Sequence, residues 1–142
     1  DVTVGMEPSG DLLLIQGPLT LDWSKRKYGI FPGIENGEIG GNRAPTFHRF
    51  MLWMNQRIAV VGRPEWVFIK IHCHGAKEGN ADVLLSEQMR SFLNRSLKEL
   101  NEIGINLHFV TSREMYNIVK AAEAGKSGNP GEYRDFILEP VS

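Results

Sequence analysis

Short apolar runs alternate along this chain with longer stretches in which apolar residues recur every three or four positions. That alternation is the signature of βαβ units and predicts an α/β fold with a mostly parallel sheet and flanking helices. The first run, residues 11–16, has four successive apolar positions and closes on Gly17-Pro18, as a strand buried on both faces does. Pro45 stands at the first turn of a helix running to about Ile58, where its missing N–H is tolerated. Phe47, Phe50, Met51 and Met54, with Trp53 beside them, give that helix a core-facing stripe. Gly62-Arg63-Pro64 breaks it. Residues 66–75 are the strongest strand in the chain, dense in β-branched and aromatic side chains.

A long helix follows at residues 84–103, apolar at Leu85, Met89, Phe92, Leu93, Leu97, Leu100 and Ile103 and stopped by Gly104. Residues 105–110 read as another strand. Thr111-Ser112-Arg113-Glu114 has the spacing of a capping box and starts a helix to about Ala124. Residues 126–131 are turn-rich, and residues 133–138 are either a short closing strand or an extended tail. No internal repeat is present, so all 142 residues read as one α/β domain.

Residues 19–44 interrupt this rhythm. They are too rich in glycine for a helix and, with Trp23, Tyr28, Ile30 and Phe31, too aromatic for a disordered linker. Long ordered loops often carry function, so Asp22, Glu35, Asn36 and Glu38 become candidates to line a site. A loop that only covers a sheet edge is the competing reading.

Composition bounds the rest. With 42% hydrophobic and 23% charged residues the chain has the makeup of a packed globular domain, able to bury roughly 70% of its unfolded surface. Sixteen Lys+Arg against seventeen Asp+Glu give a net charge of -1. No basic field is available for a phosphate backbone, which argues against nucleic acid as a partner. The cations of Ser24-Lys25-Arg26-Lys27 read as a solvated loop, with contact to an anionic sugar or phosphate as the alternative. One cysteine, Cys73, and no apolar run long enough to span a bilayer fit a reducing, cytoplasmic setting. The chain opens on Asp1, and is read as processed or as a piece of something longer. The sequon Asn94-Arg95-Ser96 falls inside a helix and reads as chance.

The chemistry gathers on the strand at residues 66–75. Alternation puts Lys70, His72 and His74 on one face and Ile69, Ile71 and Cys73 on the other. In parallel α/β folds ligands collect beyond the carboxyl ends of strands, which is where the two histidines fall. They are open to three readings: ligation of a metal completed by carboxylate or water, general acid or base work near neutral pH, or neither. His48 and His108 read as structural. Cys73 has no identifiable cationic neighbour to make it a nucleophile. Dinucleotide and phosphate-loop motifs, the GxSxG elbow and HExxH are all missing.

Three stretches carry a family resemblance: Ile34-Glu35-Asn36-Gly37-Glu38; the run from Gly62-Arg63-Pro64-Glu65-Trp66 through Ile71-His72-Cys73-His74-Gly75; and Phe109-Val110-Thr111-Ser112-Arg113-Glu114-Met115-Tyr116-Asn117. Over residues 11–137 the chain resembles the C-terminal part of polysaccharide deacetylase-like (NodB-homology) proteins, which accompany bacterial exopolysaccharide and O-antigen loci. The resemblance implies the later part of a distorted (β/α), TIM-like barrel. It also implies a hydrolase that removes acetyl groups from a polysaccharide or its precursor with a divalent metal, usually zinc. One family motif carries over, the hydrophobic-His element at Ile71-His72, which makes His72 the general acid. His74, Lys70, Glu35, Glu38 and Trp66 are its expected substrate-binding neighbours. The family's Asp-Asp and His-x-x-x-His motifs, which supply the base and the metal ligands, have no match here. The implied activity is therefore expected to need an N-terminal half, and the chain by itself to pair through its open edges as a homo-oligomer. The competing class is a non-catalytic carbohydrate-binding or assembly domain.

Overall fold

The computed structural model describes residues 2–7, 10, 12–74 and 77–140. Among them two strands and four α-helices form in the order β1 (Thr20–Lys27), β2 (Phe31–Glu35), α1 (Phe47–Met54), α2 (Glu78–Leu84), α3 (Glu87–Glu102) and α4 (Ser112–Glu123), with a 3-10 turn at Pro130–Tyr133. The sheet seen among the described residues is two-stranded and antiparallel, β1 against β2. This overturns the expected mostly parallel sheet with flanking helices, and with it the later part of a (β/α) barrel.

The physical reason is that β-like composition records a fit to a pleated, half-buried surface, whereas a ladder also needs a partner. Residues 12–16, 66–74 and 105–110 have the composition and form no named strand. Among the described residues parallel pairing is reduced to single bridges, Thr3 with Val61 and Glu38 with His72. Leu12 and Leu14 are each 81% exposed, the opposite of a strand covered on both faces. Residues 133–138 close in the 3-10 turn and bends. Asp11 and Gly75, which bounded two of the expected strands, lie outside the described residues. The two strands that do form sit inside the stretch expected to be a loop. Tyr28 and Gly29 both have positive φ, at 54° and 75°, and Ile30 N–H closes the turn on Lys27 O at 3.3 Å, one residue before the ladder resumes at Phe31.

The chain divides into two compact units. One comprises Asp1–Leu14, Arg57–Phe68 and His108–Ser142, and the other Ile15–Gln56 with Ile69–Leu107. In the first, α4 carries both halves of its capping box, Glu114 N–H donating to Thr111 Oγ1 and Thr111 N–H to Glu114. Asn117 on α4 is fully buried and uses its whole amide. It donates to the carbonyls of Arg134 and Leu138 and accepts from the N–H groups of Ile137 and Leu138. Four hydrogen bonds fasten the C-terminal segment without a ladder.

In the second unit α1 begins one residue after its N-cap, Thr46, whose hydroxyl accepts from Arg49 N–H. It stops at Met54, short of the expected Ile58, because Arg57 has a left-handed φ of 48° that a helix cannot continue through. The expected helix at 84–103 is two helices, since Ser86 caps α3 by accepting from Met89 N–H. Gly104 does end it: its N–H donates to Asn101 O while Ile105 N–H reaches Leu100 O, the paired bonds of a Schellman motif. The core joins Ile39, Phe50, Trp53, Met89, Phe92 and Leu100. Phe50, Trp53 and Phe92 meet edge to face at 6.1–6.4 Å, the favoured aromatic arrangement.

Beside this core lies a buried ion pair. Arg49 donates Nε–H to Glu35 Oε2 at 2.8 Å and Nη2–H to Glu35 Oε1 at 2.8 Å. Its other donors reach the carbonyls of Arg43, Ala44 and Glu38. Glu35 also accepts from Trp53 Nε1–H and Gly37 N–H. Burial by itself raises the Glu35 carboxyl. The hydrogen bonds from Arg49, Trp53 and Gly37, with the Arg49 charge, outweigh it and bring the group from 4.5 to about 2.

A depressed carboxylate pKa stabilises the fold fully above its unfolded value and ceases to do so as pH falls through the folded one. The stability contributed by Glu35 is therefore lost between about pH 4.5 and about pH 2. Arg49→Met leaves the carboxylate buried without its partner and should remove about 3 to 5 kcal/mol of unfolding free energy. Urea titrations across that pH range check both statements: Glu35→Gln should flatten the acid limb. An unaltered midpoint in Arg49→Met, or an unaltered acid limb in Glu35→Gln, contradicts this account of the pair.

Candidate functional site

Asn36-Gly37 makes the turn that brings Glu38 to the histidines. Asn36 Oδ1 accepts from Glu38 N–H at 3.2 Å, and Gly37 has a φ of 73°. A Cβ at Gly37 would fall 3.0 Å from Pro18 Cγ and 3.3 Å from Lys70 O, so glycine is required there on two grounds. The turned segment pairs with the histidine segment: His72 N–H donates to Gly37 O at 3.2 Å and Ile39 N–H to His72 O at 2.8 Å.

The result is a compact polar group. The His72 and His74 rings lie 5.7 Å apart, edge to face, so the sequence alternation that put them side by side is realised locally. His74 Nε2 is 3.9 Å from Glu38 Oε1 and its side chain is 71% exposed. His72 is partly buried, and its Nδ1 is buried with no hydrogen-bond partner among the described residues. Arg43 fixes the carboxylate by donating Nη1–H to Glu38 Oε2 at 2.9 Å and to Asn36 Oδ1 at 3.1 Å, and Nη2–H to Ile34 O at 2.9 Å. The Arg43 hydrogen bond, aided by its charge and by the neighbouring histidines, holds the Glu38 carboxyl below its ordinary range. Glu38 is thus an anion facing two imidazoles. From the start of α2, buried Asn80 donates Nδ2–H to His74 O at 2.8 Å and accepts from Gly41 N–H at 3.1 Å. It ties the histidine segment to the turn at residues 40–43.

The other expected neighbours lie elsewhere. Glu35 was expected to bind substrate. It is buried against Arg49, Trp53 and Gly37, which leaves it no oxygen for a ligand. Trp66 belongs to the other unit, where it is buried, donates Nε1–H to Gly128 O and stacks at 5.7 Å on Tyr133. Lys70 is exposed, with its Cδ near the backbone of Gly17. Arg43 and Asn80 were not foreseen. The only sequence signal for either is Gly40-Gly41 just before Arg43, where a Cβ at Gly40 would lie 2.9 Å from Asn80 Oδ1.

A second polar cluster sits at β1. Buried Asp22 accepts through Oδ1 from Ser24 N–H at 3.0 Å and Ser24 Oγ–H at 2.6 Å, with His48 Nε2 at 3.1 Å. Ser24 Oγ also lies 3.2 Å from His48 Nε2. Serine and aspartate thus meet the same ring nitrogen, whereas a catalytic relay needs them on opposite nitrogens. The cluster is a structural tie between β1 and α1.

The zinc implied by the family resemblance needs three or four converging donors. Among the described residues no group of three or more His, Cys, Asp or Glu side chains gathers at such spacing, and Glu38 Oε2 is already held by Arg43. The residues present do not fit a resident zinc. Elemental analysis of the purified chain should accordingly find far less than one zinc per molecule after dialysis. One tightly bound ion, lost in a His72→Ala, His74→Ala double variant, would contradict this geometry. Comparison with protein-family models, with curated proteins and with solved structures finds no match for the chain.

Proposed function

We propose that the protein deacetylates a bacterial polysaccharide or its precursor, and that this chain supplies the proton-delivering face of the site. In hydrolysis of an acetyl amide or ester, the tetrahedral intermediate collapses when the departing nitrogen or oxygen receives a proton. His72 is the donor in this reading. The observation that carries it is the backbone pairing of His72 with Gly37 and Ile39, which sets an imidazole on fixed supports beside His74 and the ionised Glu38. His74, exposed and at ion-pair distance from Glu38, contacts the sugar. Arg43 acts by holding Glu38 in place. The metal donors of a deacetylase are not supplied by these residues, and the protein's other parts or partners must bring whatever activates the attacking water.

A second reading, carbohydrate binding without catalysis, is favoured by the exposure of Trp23, Tyr28 and Phe31 on the hairpin, where rings are free to stack on sugars. One assay separates the two. Acetate release from acetylated oligosaccharides by the full-length protein should fall about 10²- to 10⁴-fold in His72→Ala, the range for loss of a general acid. Turnover equal to wild type in that variant rejects His72 as the acid. Glycan binding with no acetate release from any acetylated substrate favours the second reading.

A further inference from the structure

We infer that the β1–β2 hairpin is a docking site for an acidic glycan chain, one bearing carboxylate groups on part of its rings. The inference rests on the polysaccharide reading for the class of ligand, but not on catalysis.

The hairpin is inverted relative to an ordinary surface ribbon, which turns apolar residues inward and charges outward. Its carboxylates Asp22 and Glu35 are buried, while the cross-strand pair Leu21 and Ile34 is exposed. Trp23 is 62% exposed, Phe31 64% and Tyr28 88%. Register slips between Asp22 and Arg26, so that Trp23, Ser24 and Lys25 bulge from the ladder. Tyr28 occupies the tip with a φ of 54°, a conformation unfavourable for a bulky side chain. An exposed aromatic held at a strained position has no packing reason to be there, and points to a role at the surface.

Charge selects the partner. Lys25, Arg26 and Lys27 are consecutive and exposed. Lys25 approaches Asp22 at 3.9 Å, and Arg26 and Lys27 form no ion pair among the described residues. Lys27 stands directly across from Phe31, so a cation and a ring face share one cross-strand site. Rings that stack on the C–H faces of sugars, interleaved with cations for carboxylates, match a glycan charged at intervals. Nucleic acid carries a phosphate charge at every nucleotide and calls for a broader basic field, which sixteen basic against seventeen acidic residues do not make.

The test is equilibrium titration of the full-length protein with polygalacturonate oligomers, neutral dextran oligomers and an oligothymidylate. Polygalacturonate should bind best. Raising salt from about 50 mM to about 200 mM should weaken it, and the variant Lys25→Gln, Arg26→Gln, Lys27→Gln should lose most of that salt dependence. Trp23→Ala should weaken binding about tenfold. Tyr28→Asn guards against misfolding, because asparagine tolerates the left-handed turn: it should keep or raise the urea midpoint and still weaken binding. The titration reads binding alone and no acetate release, so that a failure of the catalytic reading does not enter it. Dextran binding as well as polygalacturonate, or oligothymidylate binding better, overturns the inference. So does a self-associating protein whose hairpin variants turn monomeric without any change in glycan binding.

Discussion

The arrangement around the histidines depends on one buried interaction, the guanidinium of Arg49 clamped to the carboxylate of Glu35. It joins α1, which carries Arg49, to the end of β2, which carries Glu35, and it also holds the carbonyls of Glu38, Arg43 and Ala44. In backbone pairing among the described residues, Glu38 and Arg43 are held besides only by single bridges, to His72 and to Gly40. A buried ion pair is not in itself a source of large net stability, since desolvation opposes it. Its effect here is specificity: five donors in a rigid fork have one good solution, and that solution fixes where Glu38 lies.

From that anchor the site follows by short steps. Trp53 completes the Glu35 hydrogen bonds from inside the aromatic core, so packing and polar order share a residue. Gly37 follows Glu35 closely, its N–H held by the carboxylate and its carbonyl receiving His72. Arg43 and Asn80 then fix the Glu38 side chain and the His74 backbone. The chemistry available is an anion facing two imidazoles, one partly buried and one open. The hairpin on the other side of Glu35 carries the exposed rings and cations, so the proposed docking surface and the histidine group flank one structural clamp.

How much of this was legible in the sequence depended on the range of the interaction concerned. The capping box at Thr111 and Glu114, the stop at Gly104 and the apolar stripe of α1 are local, and they form where the spacing put them. The pairing of His72 with His74 on one face is also local, a consequence of alternation. Strands are misread because residues 66–74 are rich in β-forming side chains, yet among the described residues they meet only the single bridge of His72 to Glu38. The hairpin was concealed for the converse reason: Lys25-Arg26-Lys27-Tyr28-Gly29 looks like a polar loop, and its turn is made by an unusual tyrosine. Glu35 reads as a ligand-binding carboxylate because its partner lies fourteen residues away, and nothing local marks Asn80, which acts across thirty-nine.

The claim that the Arg49–Glu35 clamp positions the histidine site is tested most directly by amide hydrogen exchange in Arg49→Lys. Lysine keeps the charge but cannot bond the carboxylate and three carbonyls together. The account predicts that the amides of Ile39 and His72, which pair the two site segments, exchange at least about tenfold faster, while interior amides of α3 slow the exchange nearly as well as before. Equal protection of Ile39 and His72 in both proteins, or a uniform loss across α3 as well, would contradict it.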